Sequence, residues 1–259
     1  MKGVSEVLTT VIMIAIVLTV GLTIAYFAIT TIGNAIATAS YELSVNAFTT
    51  LTSNYDLIIN GGTYMVDFPE RDIGLGYNLT GKRFEVVLYN GTDNITLIND
   101  TTIYEIYVKG PSAVSNRESI LYGIGGLIVE SPLYHPILVE NYTPGKGQYI
   151  KFNTTRISVF TTSYMSGSNN VTIIYIIYSD LTPTVYGGAT TKRLMLALTS
   201  MKLNETEPME IDALTTVTIN ATLYDSNGNK LQTESRTIIV KNTTLKIYYR
   251  TLNVSAVIS

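Results

Sequence analysis

The sequence predicts an α+β protein: a long hydrophobic N-terminal α-helix followed by a β-sandwich head of Ig-like type. Three observations predict it. No charged side chain occurs from Val7 to Tyr41, a run of 35 residues. From about Tyr55 the pattern changes to short segments rich in Ile, Val, Tyr and Thr, separated by Gly, Asn and Pro. No second segment carries a convincing helical period. The helix is expected over 4–52 and the head, as one domain, over 53–259.

The helix comes first. Residues 7–32 read VLTTVIMIAIVLTVGLTIAYFAITTI and are apolar on every face, so this segment must be buried in lipid or in protein. Small residues (Thr19, Gly21, Thr23, Ala25, Ala28) are spread along it and allow close helix approach. An uncharged run of this length makes a helix of roughly 50 Å, whereas a bilayer core is crossed by ~20 residues. A secretory signal has an apolar region of ~7–15 residues, so this run is too long, although Ala37-Thr38-Ala39 offers a cleavage site. A single-pass anchor leaves part of it without a purpose. A helix held in the membrane before assembly and in a filament core afterwards uses all of it. Beyond Ser40 the pattern turns amphipathic, with Leu43, Val45, Phe48 and Leu51 among Glu42, Asn46 and Thr49, which predicts docking on the head.

The first residues carry a resemblance. Lys2-Gly3-Val4-Ser5-Glu6-Val7-Leu8-Thr9-Thr10-Val11-Ile12 resembles the start of archaeal type IV pilins and archaellins, where a short basic leader ending in Lys or Arg then Gly or Ala precedes the hydrophobic helix. The resemblance implies a leader over 1–3, cut between Gly3 and Val4 by a membrane prepilin peptidase, and an assembly platform powered by an ATPase. Val4-Ser5 is similar to a pilin subgroup that continues Val-Ser-Pro; here Glu6 stands in place of Pro. In bacterial pilins a carboxylate at the fifth mature position pairs with a neighbour's terminal amine; Glu6 would be third. It is a possible assembly charge, or a carboxylate favourably placed at the positive end of the helix dipole.

The head follows as strands. Asp56–Ile59 and Thr63–Val66 flank Asn60-Gly61-Gly62, which reads as a hairpin. Arg83–Tyr89, Ile95–Ile98 and Thr102–Lys109 read as a meander, and Gly126–Glu130, Gln148–Phe152, Ile157–Thr162, Val171–Tyr178 and Arg193–Met201 as further strands. Leu214–Tyr224 and Lys230–Lys241 form a hairpin across Asp225-Ser226-Asn227-Gly228-Asn229; Thr244–Thr251 and Val254–Ile258 end the chain, the last free to pair in its own head or another.

Asn-x-Ser/Thr sequons are dense: Asn78, Asn90, Asn94, Asn99, Asn141, Asn153, Asn170, Asn204, Asn220, Asn242 and Asn253. That is 11 of 19 asparagines, against about four expected by chance from the Ser and Thr content. Confinement to the proposed exposed head predicts N-glycosylation at several.

Composition narrows the chemistry. With 14% charged residues and net charge −3 there is no basic face for nucleic acid. Cys is absent, removing disulfides, thiolate metal sites and thiol nucleophiles. The lone histidine, His135, in Ser131-Pro132-Leu133-Tyr134-His135-Pro136 has no local nucleophile or orienting carboxylate and reads as a loop residue. Gly74-Leu75-Gly76 and Gly123-Ile124-Gly125-Gly126 lack the strand–glycine–helix context of a phosphate loop and read as turns. Asp93, Asn94, Asn99 and Asp100 offer oxygens to Ca²⁺ without matching a loop consensus. No catalytic residue, cofactor or metal is expected, and no enzyme.

The expectation is a structural subunit of an extracellular archaeal type IV pilus-like adhesion filament, polymerising with itself through its helix and held in the cytoplasmic membrane beforehand. The alternatives are an archaellin of a motility filament and a membrane-anchored surface binding protein, sugar-binding or surface-layer-associated.

Overall fold

The computed structural model describes residues 2–69, 74–91, 94–110, 119–143, 147–186, 192–211 and 214–259, and for 2–6 and 141–143 the backbone alone. Helix α1 (Lys2–Ser53) is followed by α2 (Tyr55–Ile59), then β1 (Thr63–Asp67), β2 (Gly74–Leu79), β3 (Arg83–Tyr89), β4 (Asn94–Asp100), β5 (Tyr104–Lys109), β6 (Ser119–Tyr122), β7 (Ile128–Glu130) and β8 (Ile137–Thr143). The remaining strands are β9 (Gly147–Asn153), β10 (Ile157–Ser166), β11 (Asn169–Val185), β12 (Arg193–Glu205), β13 (Met209–Ile211), β14 (Thr215–Tyr224), β15 (Lys230–Val240) and β16 (Thr243–Ile258). They form a central sheet ordered β1-β12-β16-β11-β10-β7 with β13 also on β16, an outer sheet β15-β14-β3-β4, and a cover sheet β2-β5-β9-β8-β6.

Two long strands organise both cores. β11 and β16 run parallel over 15 register pairs, from Val171↔Thr244 to Val185↔Ile258. Successive side chains alternate between faces. Leu245 and Ile247 therefore point at the outer sheet, where they meet Phe84, Val86, Leu88, Val217 and Ile219. Leu252, Val254, Ala256 and Ile258 point the other way, into a core shared with Phe48, Leu51, Tyr55 and Ile58 of the helices and Ile106, Val108, Ile150 and Phe152 of the cover sheet. At ~3.3 Å per residue a strand of 16 residues is long enough to serve one core at each end. The final run is one strand, paired inside its own head. The parallel pair and the third sheet go beyond the two antiparallel sheets of an Ig arrangement.

Several expectations are corrected. Tyr55–Ile59 is a short helix, not the first strand of a hairpin. Asn60-Gly61-Gly62 ends it: Gly61, at φ +91°, donates to the Ile58 carbonyl at 3.0 Å and Gly62 to that of Leu57 at 2.9 Å. This is a Schellman cap, which uses the same left-handed glycine as a hairpin. β5 leaves the predicted meander for the cover sheet, so only β3 and β4 pair as expected. Gly74 and Gly76 lie in strand β2 rather than a turn, and the Tyr107 ring crosses where a Cβ on Gly76 would stand, at 3.0 Å. Gly123 and Gly126 do adopt turn backbones, at φ +96° and +98°. The hairpin at Asp225 forms as expected, its carboxylate accepting from the Asn227 and Asn229 amides at 2.8 Å.

Candidate functional site: an apolar helix anchored in the head

The helix has two regimes. Every residue from 7 to 36 is exposed, a length of roughly 45 Å. Among the described residues it is the one helix long and apolar enough to cross a membrane. Exposed large side chains include Val11, Ile14, Val17, Leu18, Leu22, Ile24, Phe27 and Ile29. Its hydroxyls are compatible with an apolar surrounding, because Thr19, Thr23, Thr30 and Thr38 each donate to the carbonyl four residues earlier at 2.8–2.9 Å. A buried hydroxyl without such a partner would cost about 1–3 kcal/mol.

From Ser40 the helix is gripped. Ser40, Ser44, Phe48, Leu51 and Thr52 are buried, a stripe at three- and four-residue spacing continued by Tyr55 and Ile58 of α2. Leu43, expected on this stripe, faces solvent; Ser44 takes the position and donates to the Ser40 carbonyl at 2.8 Å. Phe48 meets the Phe68 ring edge to face at 4.9 Å and stacks on Phe152 at 6.1 Å. The buried Tyr55 hydroxyl lies 2.6 Å from that of Ser179. Where the helix emerges, the Tyr41 hydroxyl donates to the Glu140 carboxylate, which also accepts from the Gln148 side chain and, at 3.1 Å, from Ser119. Gly110 leaves room for the Tyr41 ring: a Cβ there would stand 2.5 Å from it. These contacts set α1 against β1, β6, β8 and β9.

At the other predicted sites, Gly3, Val4 and Glu6 lie in helical backbone, their side chains outside the description. Of the sequons, Asn78, Asn94, Asn99 and Asn242 are exposed, and the Asn141 side chain lies outside the description. Asn90, Asn153, Asn170, Asn204, Asn220 and Asn253 are half-buried. The Asn253 amide donates to Ser200 at 2.7 Å, that of Asn90 to the Met209 sulfur at 3.2 Å, and Asn153 accepts from the Thr155 amide at 2.6 Å.

His135 is half-buried in the segment between β7 and β8. Asp93 lies outside the described residues, and Asn94, Asn99 and Asp100 sit on strand β4 rather than in a loop. Among the described residues no three His, Cys, Asp or Glu side chains gather as a metal site. The structure does assemble a carboxylate pair that sequence reading did not single out. A groove of about 330 Å³ between β4 and the central sheet is lined by Asp100, Asp180, Tyr178, Lys202, Asn204 and Asn253, among others. Burial, then the Asp100 charge, pushes the Asp180 carboxyl up to about 6. Asp100 accepts from the Tyr178 hydroxyl and from the Thr102 amide at 2.8 Å. One signal was present: Asp180 is the sole charge in a strand otherwise rich in Ile, Val and Tyr.

Comparison with known protein families, with characterised proteins and with solved structures finds no match to this chain.

Proposed function

We propose that this chain is the structural subunit of an extracellular type IV pilus-like adhesion filament, as its N-terminal resemblance implies. One observation carries the reading: a single continuous helix whose charge-free stretch over 7–36 is exposed and whose end from Ser40 is packed into a folded head. Such a surface does not remain in water, since each large side chain covered gains about 1.5–3 kcal/mol. A bilayer core of ~30 Å covers about two thirds of it; a bundle of neighbouring helices covers it all. A mere anchor has no need of rigid attachment. A filament subunit does, because the angle between helix and head sets how successive heads pack. In this reading the helix waits in the cytoplasmic membrane, and the head, a β-sandwich with an added cover sheet, forms the sheath. The contact between copies is heterologous and does not close, which yields a fibre.

The polar groove beside β4 favours a second reading, a membrane-anchored surface protein that binds a polar ligand such as a saccharide. Shearing separates the two. A filament subunit is recovered in long fibres whose chains begin at Val4; an anchored monomer stays with the membranes and is released by detergent. Sheared fibres lacking the chain would refute the filament reading.

A further inference from the structure

The four exposed sequons are not scattered. Asn78 lies on β2, which among the described residues pairs only with β5 and is the edge of the cover sheet. Asn94 and Asn99 lie on β4, which among the described residues pairs only with β3 and is the edge of the outer sheet. Asn242, at φ +47°, occupies the turn between β15 and β16. Open edges invite pairing with other chains, and proteins commonly guard them with charge or by keeping them short. The edges β1, β6, β7 and β13 have five residues or fewer. The long edge β15 carries Lys230, Glu234 and Arg236. β2 carries no charge and exposes Tyr77 and Leu79. β4 carries only Asp100, at its end and engaged by Tyr178 and Thr102. Among the described residues, three longer edges lack a free charged guard: β2 and β4 carry exposed sequons, whereas 160–166 of β10, beyond its three pairs with β7, is also uncharged and carries none.

The backbone of β4 strengthens the point. Asn94 and Asn99 are five residues apart and would face opposite sides of a regular strand. The register shifts between Val86 and Val87, which pair with Ile98 and Thr96, so Leu97 is an extra residue. This bulge buries Leu97 and Ile98 in succession and returns Asn99 to the solvent face. Both sequons are then presented whole, with Thr96 and Thr101 also exposed. By contrast the Asn220 side-chain oxygen is buried without a partner, and the Asn253 amide is committed to Ser200.

We propose that N-linked oligosaccharides on Asn78, Asn94 and Asn99 guard the uncharged edges of β2 and β4 and keep heads from pairing through them, with Asn242 a further accessible site. The inference rests on the extracellular placement of the head. In the modification the side-chain amide nitrogen forms a bond to the anomeric carbon of a lipid-pyrophosphate-linked oligosaccharide. The anomeric C–O bond breaks, the lipid pyrophosphate leaves, and the amide gives up one proton.

Glycopeptide mapping of the chain isolated from its source cells tests the sites. Glycan is expected on Asn78, Asn94 and Asn99 and absent from Asn220 and Asn253; a bare β2 or β4, or glycan on Asn220 or Asn253, overturns the assignment. Sedimentation of the full chain in detergent tests the role. The triple variant Asn78→Gln, Asn94→Gln, Asn99→Gln should move to faster-sedimenting species, while Asn242→Gln sediments as the parent. Replacing the same three residues with Lys, which restores a guard without sugar, should return the parent profile. A triple Gln variant that sediments as the parent, or a triple Lys variant that does not recover, refutes edge guarding. Fibres built from unglycosylated chains would sink this proposal and leave the filament reading standing; a glycosylated membrane monomer would do the reverse.

Discussion

Phe48 and Phe27 belong to one helix and should respond oppositely to truncation. Phe48 is 0% exposed, held between Phe68 and Phe152, whereas Phe27 is 64% exposed and touches only Tyr26 among the rings. Phe48→Ala removes a fully buried ring and leaves a cavity, at a cost of about 3–5 kcal/mol; that figure already contains the two ring contacts. For a head of this size each kcal/mol lowers Tm by about 2–4 °C, so the expected loss is near 10 °C. Phe27→Ala should leave the head's Tm unchanged. Trp is absent and Tyr numbers 19, so near-ultraviolet circular dichroism of the tyrosines in detergent follows the head directly. A Phe48→Ala loss under about 3 °C, about one kcal/mol by the same scale, would mean that α1 is a tether and not part of the core. The rigid attachment behind the filament reading would then fail.

Other outcomes follow from single positions. Gly62→Ala places a Cβ 2.7 Å from the Leu57 carbonyl oxygen and should cost ~2 kcal/mol of head stability, while Gly61→Asn, at a left-handed position asparagine tolerates, should cost less; equal effects in thermal melts would refute the cap. Asp180 titrates near 6 in the fold against an ordinary value near 3.8, so the fold favours its protonated form. Its contribution is therefore present below about pH 4 and is lost as pH rises to about 6. The Tm difference between Asp180→Asn and the parent should be absent at pH 4 and reach a few degrees in the variant's favour at pH 7, about 1 kcal/mol after allowing for solvent screening. A difference independent of pH would refute a carboxyl raised by burial and, after it, by the Asp100 charge. Leu18→Arg places a charge in the exposed apolar stretch, costing about 2.5–3.5 kcal/mol in a bilayer centre; it should abolish fibres in electron micrographs while the head's Tm stays at the parent value.

The parts of this fold that were legible in the sequence are those fixed by near neighbours. α1 reads from its uncharged run and ends within one residue of expectation; β3 alternates cleanly; the β14–β15 turn announces itself through Asp225 and Gly228. The misread Asn60-Gly61-Gly62 is local too, but a Schellman cap and a hairpin demand the same positive φ, so composition cannot separate them. β2 was missed because Gly74 and Gly76 lower strand propensity, while its pairing with β5, where the Tyr107 ring lies over Gly76, is distant in sequence. β8 was missed beside Pro132 and Pro136, which read as turn. What no local pattern could supply is which strands become neighbours. Asp100 meets Asp180, and Asn78 stands on an open edge, only through sheet order. The exposed apolar half of the helix was the strongest sequence signal for the candidate site, and the structure adds the grip of the head on its other end.

The account's central claim is that the exposed part of α1 is covered by copies of itself. Cryo-electron microscopy of fibres sheared from cells that make this protein tests it most directly. The account predicts a central bundle in which residues 7–36 of successive chains pack together, with heads outside and the helix leaving each head at Tyr41. Fibres whose core is built from another chain, or this helix found only in the membrane fraction, would contradict it.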